Sequence, residues 1–296
     1  MTNISVNYDT EWLLEYYKTG DPGSLFKDNV RQALSTAEPG FSFNFFDKET
    51  ETLRNACTEV TSCDDSDVCN LGSINMGRID SIHEFSGVVE LATKFLMCGT
   101  LRAKLPYEKV EKVREKNRRL GLGLMGIHEF LIKKGDSYEV TPTLHSFLSV
   151  YRGMSDQVSK EFSEHLQIST PIANRAIAPT GSIGILAGTS TGIEPIFAVA
   201  YKRRYLKGGT RWHYQYVVDS AAQEIIDLYG IKPDDIDSAL QLSEDYERRI
   251  KFQADVQDYV DMSISSTINL PKWGSKHNNE DTMPYFTEVL ASYAHR

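Results

Sequence analysis

Apolar positions recur at helical spacing through residues 9–19 and 24–36, and Gly or Pro punctuation closes each run, so both segments are predicted as helices. Phe41, Phe43 and Phe45 alternate with Ser42 and Asn44, the period-two pattern of a strand. Residues 47–80 then turn polar and irregular, which predicts a long functional loop. Ser81 with Glu84 forms a capping box that opens a helix to about residue 103, and Pro106 is placed to start the next one. Residues 119–125 read as a short buried strand and 143–166 as a long helix. The stretch 172–200 is apolar, rich in Gly, Ser and Thr, and only weakly periodic, as in strand–loop–helix or strand–loop–strand units. Further helices are predicted at 215–229, 243–261 and 281–294. Strands that alternate with longer helical patterns give an α/β architecture. No repeat, low-complexity tract or linker divides the chain, so residues 1–296 are expected to form a single domain.

Composition narrows the function classes. The 296 residues carry 32 Lys+Arg against 41 Asp+Glu, a net charge of −9, at 41% hydrophobic content. That is the profile of an ordinary globular chain with enough length for a sizeable core. There is no run long and apolar enough for a membrane span and no basic-then-apolar leader, so a cytoplasmic location is expected. The acidic balance argues against a partner that is a nucleic-acid polymer. It leaves room for a local site that takes one nucleotide. Of the four cysteines, Cys57, Cys63 and Cys69 fall within thirteen residues, and Cys98 stands apart. Four cysteines without an export signal are not a disulfide framework, so the cluster is metal-binding, redox-active or accidental.

Several constellations bear on chemistry. Gly121, Gly123 and Gly126 match the dinucleotide-binding glycine pattern. The charged segment 112–119 stands where that fold needs a strand, so the glycines are read as sites of close strand–helix packing. His128-Glu129 begins a metalloprotease helix motif, but Ile132 occupies the second histidine's place. The spacing Cys57-x5-Cys63-x5-Cys69 departs from structural zinc sites, whose fourth ligand here would be His83 or Cys98; no metal is expected. The run from Lys202 to Tyr214 is basic and aromatic, and is read as a solvated loop or a subunit contact. Asn55, Cys57 and Glu59 would share one face if the chain were extended. The amide and the carboxylate would then flank the thiol by roughly 6–7 Å, the scale of a sugar ring. Such a carboxylate can act as a base on a hydroxyl. Ala178, Pro179, Thr180, Gly181 and Ser182 form a turn with glycine freedom and two hydroxyls, suited to phosphate oxygens if a helix follows it. Gly188 to Pro195 repeats that style and could complete the pocket wall.

Taken in order, these segments resemble the large, catalytic chain of ribonucleotide reductase. The matching stretches are Glu38 to Phe45, Asn55 to Glu59, Cys69 to Asn75, Arg119 to Gly126, Ala178 to Ser182, Gly192 to Pro195 and Val260 to Pro271. Residues 54–60 and 201–209 resemble the adenosylcobalamin-dependent, class II branch most closely. The resemblance implies part of a ten-stranded α/β barrel with a central finger loop, here about residues 47–80. It implies that Cys57 is the thiyl-radical residue, Glu59 a base on the ribose 3′ hydroxyl, and Asn55 a hydrogen-bond donor to the sugar. Cys69 becomes one of two thiols that reduce the 2′ position, and residues 178–182 a cradle for the substrate's phosphates. It also implies adenosylcobalamin as the cofactor, an external dithiol such as thioredoxin as the reductant, and a ribonucleotide as the substrate.

The family's first redox cysteine lies upstream of the matched region, and Cys63 and Cys98 fall outside the matching motifs. The effector-binding region lies upstream too, and the last barrel strand follows beyond Arg296. The expectation is therefore one piece of a split or truncated reductase, inactive without the upstream half as a separate chain, with a homodimer possible. The competing expectation is a non-catalytic remnant that binds a partner, or a class I rather than a class II enzyme.

Overall fold

The computed structural model describes residues 4–296. In chain order the elements are β1 (Ser5–Tyr8), α1 (Thr10–Thr19), α2 (Gly23–Thr36), β2 (Gly40–Phe43), β3 (Leu53–Arg54), β4 (Thr61–Ser62), β5 (Asn70–Asn75), α3 (Ile82–Arg102), α4 (Glu108–Asn117), β6 (Leu120–Met125), α5 (Ile127–Lys134), α6 (Pro142–Leu166), α7 (Gly181–Ala187), β7 (Ala200–Lys207), β8 (Arg211–Val218), α8 (Ser220–Tyr229), α9 (Tyr246–Gln257) and α10 (Met283–Tyr293).

Local chemistry sets most helix ends. The Asp9 carboxylate accepts from the Trp12 amide to open α1, and Gly20, at φ +70°, closes it. Ser81 caps α3 through the Glu84 amide at 3.2 Å, while the Glu84 carboxylate reaches back to the amide of Asp80. α4 starts at Glu108, two residues after Pro106.

Parallel pairing organises the centre. β5 and β6 pair in parallel, from Asn70 opposite Leu120 to Asn75 opposite Met125. Residues 173–177 run alongside β6, with Arg175 opposite Leu122, and residues 262–265 come next, with Ile264 opposite Ile177. Short hydrogen bonds continue this ladder, such as Ile177 N–H to Ser263 O at 3.2 Å and Ser265 N–H to Ile177 O at 2.9 Å. Helices α3, α5 and α6 pack against this ladder, whose two middle strands are buried throughout, as a parallel sheet requires. β6 is buried at every position. A second core forms where the parallel pair β1–β2 packs on α2 and α10 through Tyr8, Phe26, Val30 and Phe286. Among the described residues the strands do not close into a barrel.

Two stretches differ most from their expected secondary structure. Residues 47–80 are not wholly irregular: they hold the β3–β4 pair and all of β5. β5 mixes Gly and polar residues because it lies between β6 and α3 with little room; a Cβ at Gly72 would stand 3.1 Å from Leu96. The helix expected at 215–229 begins only at Ser220, because 211–218 pairs with 200–207 as the antiparallel hairpin β7–β8. The basic–aromatic run is therefore a ribbon and not a loop. Gly208 and Gly209, at φ +64° and +77°, make its turn.

Candidate functional site

The segment Asn55–Glu59 is turned, not extended. Thr58 N–H donates to Asn55 O at 3.0 Å, and Thr58 takes φ +70°. The sugar-sized face that an extended chain would give is thus replaced by a tight turn. Asn55 and Cys57 stand exposed on it, whereas Glu59, one residue beyond, is 1% exposed. The turn holds itself together: Asn55 Oδ1 accepts from Val60 N–H at 3.1 Å, which leaves the amide NH2 of Asn55 free to donate outward. Glu59 Oε2 is buried and has no hydrogen-bond partner. An orphaned carboxylate oxygen is costly to bury.

Arg54 sets the turn's angle. Its guanidinium donates to Ser42 Oγ (2.6 Å), Asn44 Oδ1 (2.8 Å), Thr58 O (3.3 Å) and Ser263 Oγ (2.7 Å), tying β2, the turn and the strand at 262–265 together. Burial lowers the Arg54 pKa, with Glu51 opposing that shift. Ser263 N–H also donates to Glu59 O at 2.9 Å. The rest of the loop is bolted to the root of β6. Arg119, fully buried, donates through Nε to Asp67 (2.7 Å) and through Nη2 to Glu51 (2.9 Å). Glu51 in turn accepts from Thr61 Oγ1 (2.6 Å), and Asn117 Nδ2 bridges Asp64 and Asp67, each at 2.8 Å. The sequence reading missed these two arginines. For Arg119 the signal was present, since a charged residue directly before a continuous apolar strand needs partners, whereas Arg54 sits in a polar stretch without that pattern.

Cys69 precedes β5 and packs with Val60, Ala173, Ala176 and Met262. Burial pushes its thiol up to about 12, against the neighbouring charge of Arg119, so it is a protonated thiol at neutral pH. The structure thus brings Cys69 and the inner end of the Cys57 turn into one cluster. Cys63 and Cys98 are exposed and lie elsewhere. Among the described residues no three His, Cys, Asp or Glu side chains gather as ligands for a metal.

Residues 178–182 follow the 173–177 strand and lead into α7, at the opposite end of that strand from Cys69. Ala178 and Pro179 are half-buried, Thr180 is buried, and Gly181 and Ser182 are exposed. Thr180 Oγ1 accepts from Gly192 N–H at 2.8 Å, which joins the turn to the second glycine-rich loop. That loop is held by Glu129, whose Oε1 accepts from Thr189 Oγ1 (2.7 Å) and Ser190 N–H (2.6 Å), and whose Oε2 accepts from Ser190 Oγ. Glu129, discarded with the failed metalloprotease motif, is a positioning residue. Glu194 is held by Arg249 (2.8 Å) and by Thr267 N–H (2.6 Å).

The glycines at 121, 123 and 126 serve close packing, but against neighbouring strands and loops and not the strand–helix contact expected. A Cβ on Gly123 would lie 2.7 Å from Ala176 O, and one on Gly126 only 2.4 Å from Asn75 Oδ1. The first two lie inside β6, where no dinucleotide turn exists.

A ladder of parallel strands backed by helices, with a loop anchored across one end and a thiol on its turn, is part of an α/β-barrel architecture. The chain matches the family described as ribonucleotide reductase, barrel domain, over residues 9–157 and 173–296, and it belongs to that family. It is 32% identical over 260 residues to a protein of Mycobacterium phage D29 named as an adenosylcobalamin-dependent ribonucleoside-triphosphate reductase, covering 80% of this chain and 37% of that one. It is 28% identical over 297 residues to the vitamin B12-dependent ribonucleoside-diphosphate reductase of Mycobacterium tuberculosis, covering 85% of this chain and 41% of that one. The fold superposes on a B12-dependent, class II ribonucleotide reductase with TM-score 0.76 at 15% identity, covering 99% of this chain and 45% of the other. It also superposes on the class Id alpha subunit of Actinobacillus ureae, with TM-score 0.69 at 17% identity and 98% and 63% coverage. The chain therefore carries part of the reductase-type barrel, and it spans about two fifths of the length of these sequence relatives.

Proposed function

We propose that this chain supplies the finger loop and several barrel strands of an enzyme that reduces ribonucleotides to deoxyribonucleotides by radical chemistry, at the expense of a dithiol. In this reading Cys57 abstracts the ribose 3′ hydrogen, Glu59 takes the 3′ hydroxyl proton, and Asn55 donates to the sugar. Cys69 is one of two thiols that reduce the 2′ carbon and end as a disulfide. Residues 178–182 hold the phosphates. The observation that carries it is the buried, unpartnered oxygen of Glu59 directly beyond the turn that exposes the Cys57 thiol. A carboxylate oxygen without a protein donor is open to accept the hydrogen of a hydroxyl brought to it. The protonated state of Cys69 supports the same reading, because the radical step needs a thiol hydrogen and not a thiolate.

Adenosylcobalamin is the cofactor this reading requires; when bound it supplies the radical that a strong carbon–hydrogen bond demands. The accessible thiol of Cys57 fits that demand and is the group that would face it. Turnover also needs the second redox thiol and an external dithiol such as thioredoxin. The reductase then works with the remainder of the barrel, as a complementing upstream chain, in the cytoplasm. No helix among the described residues is long and apolar enough to cross a membrane.

The test is reconstitution: this chain, the complementing barrel half, adenosylcobalamin, a dithiol, and ribonucleoside di- or triphosphate. Deoxyribonucleotide should form, and Cys57→Ala should abolish it while the complex still assembles. Turnover that survives Cys57→Ala would end the proposal. Assembly without turnover in the unaltered chain would favour the non-catalytic remnant.

A further inference from the structure

A cavity of about 450 Å³ lies away from the Cys57 turn, between α5, the 135–138 loop and the 230–237 loop. Its lining includes His128, Tyr138, Asp136, Asp235, Asp237 and Lys232. His128 is 2% exposed, and its Nδ1 accepts from Ile196 N–H at 2.9 Å. That bond fixes the tautomer: the ring proton sits on Nε2. Burial pushes the imidazole down to about 4, so the ring is neutral and keeps that one proton near pH 7. No described residue accepts from Nε2, which leaves that N–H without a protein partner on a residue that lines the cavity.

The lining specifies a complement. One aromatic wall, Tyr138, is fixed by its hydroxyl, which donates to Ile193 O and accepts from Arg249. Three carboxylates face one lysine, so acceptors outnumber cations. Asp237 is partly satisfied by Arg248 at 2.6 Å and Asp136 by Thr141 Oγ1 at 2.8 Å. Asp235 and Lys232 have no ion-pair partner among the described residues. A ligand here must offer one acceptor to His128 and donors to the aspartates, without a strong negative charge. The volume suits a molecule of nucleoside size.

We propose that this cavity is a second binding site, independent of the Cys57 turn, for a neutral or singly cationic amino-heterocycle, with a ring nitrogen on His128 Nε2–H and an amine on Asp235 or Asp237. The full chain is titrated with 2-aminopurine riboside, a neutral fluorescent probe that carries both groups, and its monophosphate is the anionic comparison. The expected result is a saturable fluorescence change together with a shift of the His128 Nε2–H resonance in the 15N-labelled chain. Asp235→Asn, an exposed change that leaves the fold intact, should weaken binding about threefold, the scale of one rim charge. The monophosphate should bind more weakly than the riboside. His128→Phe should abolish binding, and the resonance shift in the unaltered chain keeps the test valid if that variant fails to fold. No saturable change up to the probe's solubility limit overturns the proposal. So does binding that leaves the His128 resonance unmoved and is lost in Ser182→Ala, since the probe would then sit at the 178–182 turn.

Discussion

Replacing Arg119 with Met should release the loop that carries Cys57. Arg119 is fully buried at the root of β6, and its two charge-assisted bonds, at 2.7 and 2.9 Å, reach residues 16 positions apart in sequence, Asp67 and Glu51. Each such bond contributes about 1.5–3 kcal/mol. The change also leaves two carboxylates whose side chains are only 11% and 5% exposed without their cation. Breaking a buried pair by removing one partner costs about 3–5 kcal/mol. Against that, Nη1 is itself buried and unpartnered, so its removal returns about 1–3 kcal/mol. The net expectation is a loss of about 3 kcal/mol, read as a lower urea midpoint at unchanged slope. Amide exchange should accelerate most across residues 50–69 and little in α6, because the lost bonds anchor the loop and not the helical layer. A loss under about 1 kcal/mol, with exchange in 50–69 unchanged, would refute the claim that Arg119 anchors the loop.

Further outcomes follow from the same geometry. Gly126→Ala should cost several kcal/mol, since a side chain at φ +70° is strained and its Cβ would meet Asn75 Oδ1 at 2.4 Å and Thr189 Oγ1 at 2.5 Å; thermal unfolding measures it. Cys57→Ala should leave stability within about 0.5 kcal/mol, because the side chain is exposed, so any lost turnover is chemical in origin. In native chain near pH 8, thiol labelling with quantification by peptide mass should modify Cys57 rapidly and leave Cys69 protected, since burial raises the Cys69 pKa to about 12. A raised folded pKa means that the native state holds its proton more tightly, so the Cys69 contribution to stability is present below pH 9 and is lost as pH rises toward 12. For His128 the sign is opposite. Its folded pKa is lowered to about 4, so the stability it secures is present above pH 6.5 and is lost as pH falls toward 4, on the order of 3 kcal/mol in urea titrations. An unchanged urea midpoint between pH 7 and pH 4.5 would contradict that neutral, buried imidazole.

Much of this protein was legible in its sequence because the deciding physics is local. The capping box at Ser81, the apolar spacing of 142–166 and the unbroken hydrophobicity of 120–125 each specify an element without reference to the rest of the chain. The ordered motifs likewise pointed to the family, because their order along the chain is specific even where each motif alone is weak. The β7–β8 ribbon was also written in the sequence, as two aromatic runs either side of Gly208-Gly209. Its charge led instead to a solvated loop or a subunit contact.

Tertiary contacts decided the rest. Whether Asn55, Cys57 and Glu59 share a face depends on Arg54, whose partners Ser42, Asn44 and Ser263 come from up to 209 residues away. β5 could not be recognised from Gly72 and its polar neighbours, since its extended form is imposed by β6 on one edge and Leu96 above it. The burial of Glu59 and His128 and the partial burial of Cys69 are likewise properties of what packs over them, and desolvation is what shifts the Cys69 thiol up and the His128 imidazole down. Residue type and spacing can name the groups that do chemistry; only distant chain segments, folded against them, remove the water that would otherwise make those groups ordinary.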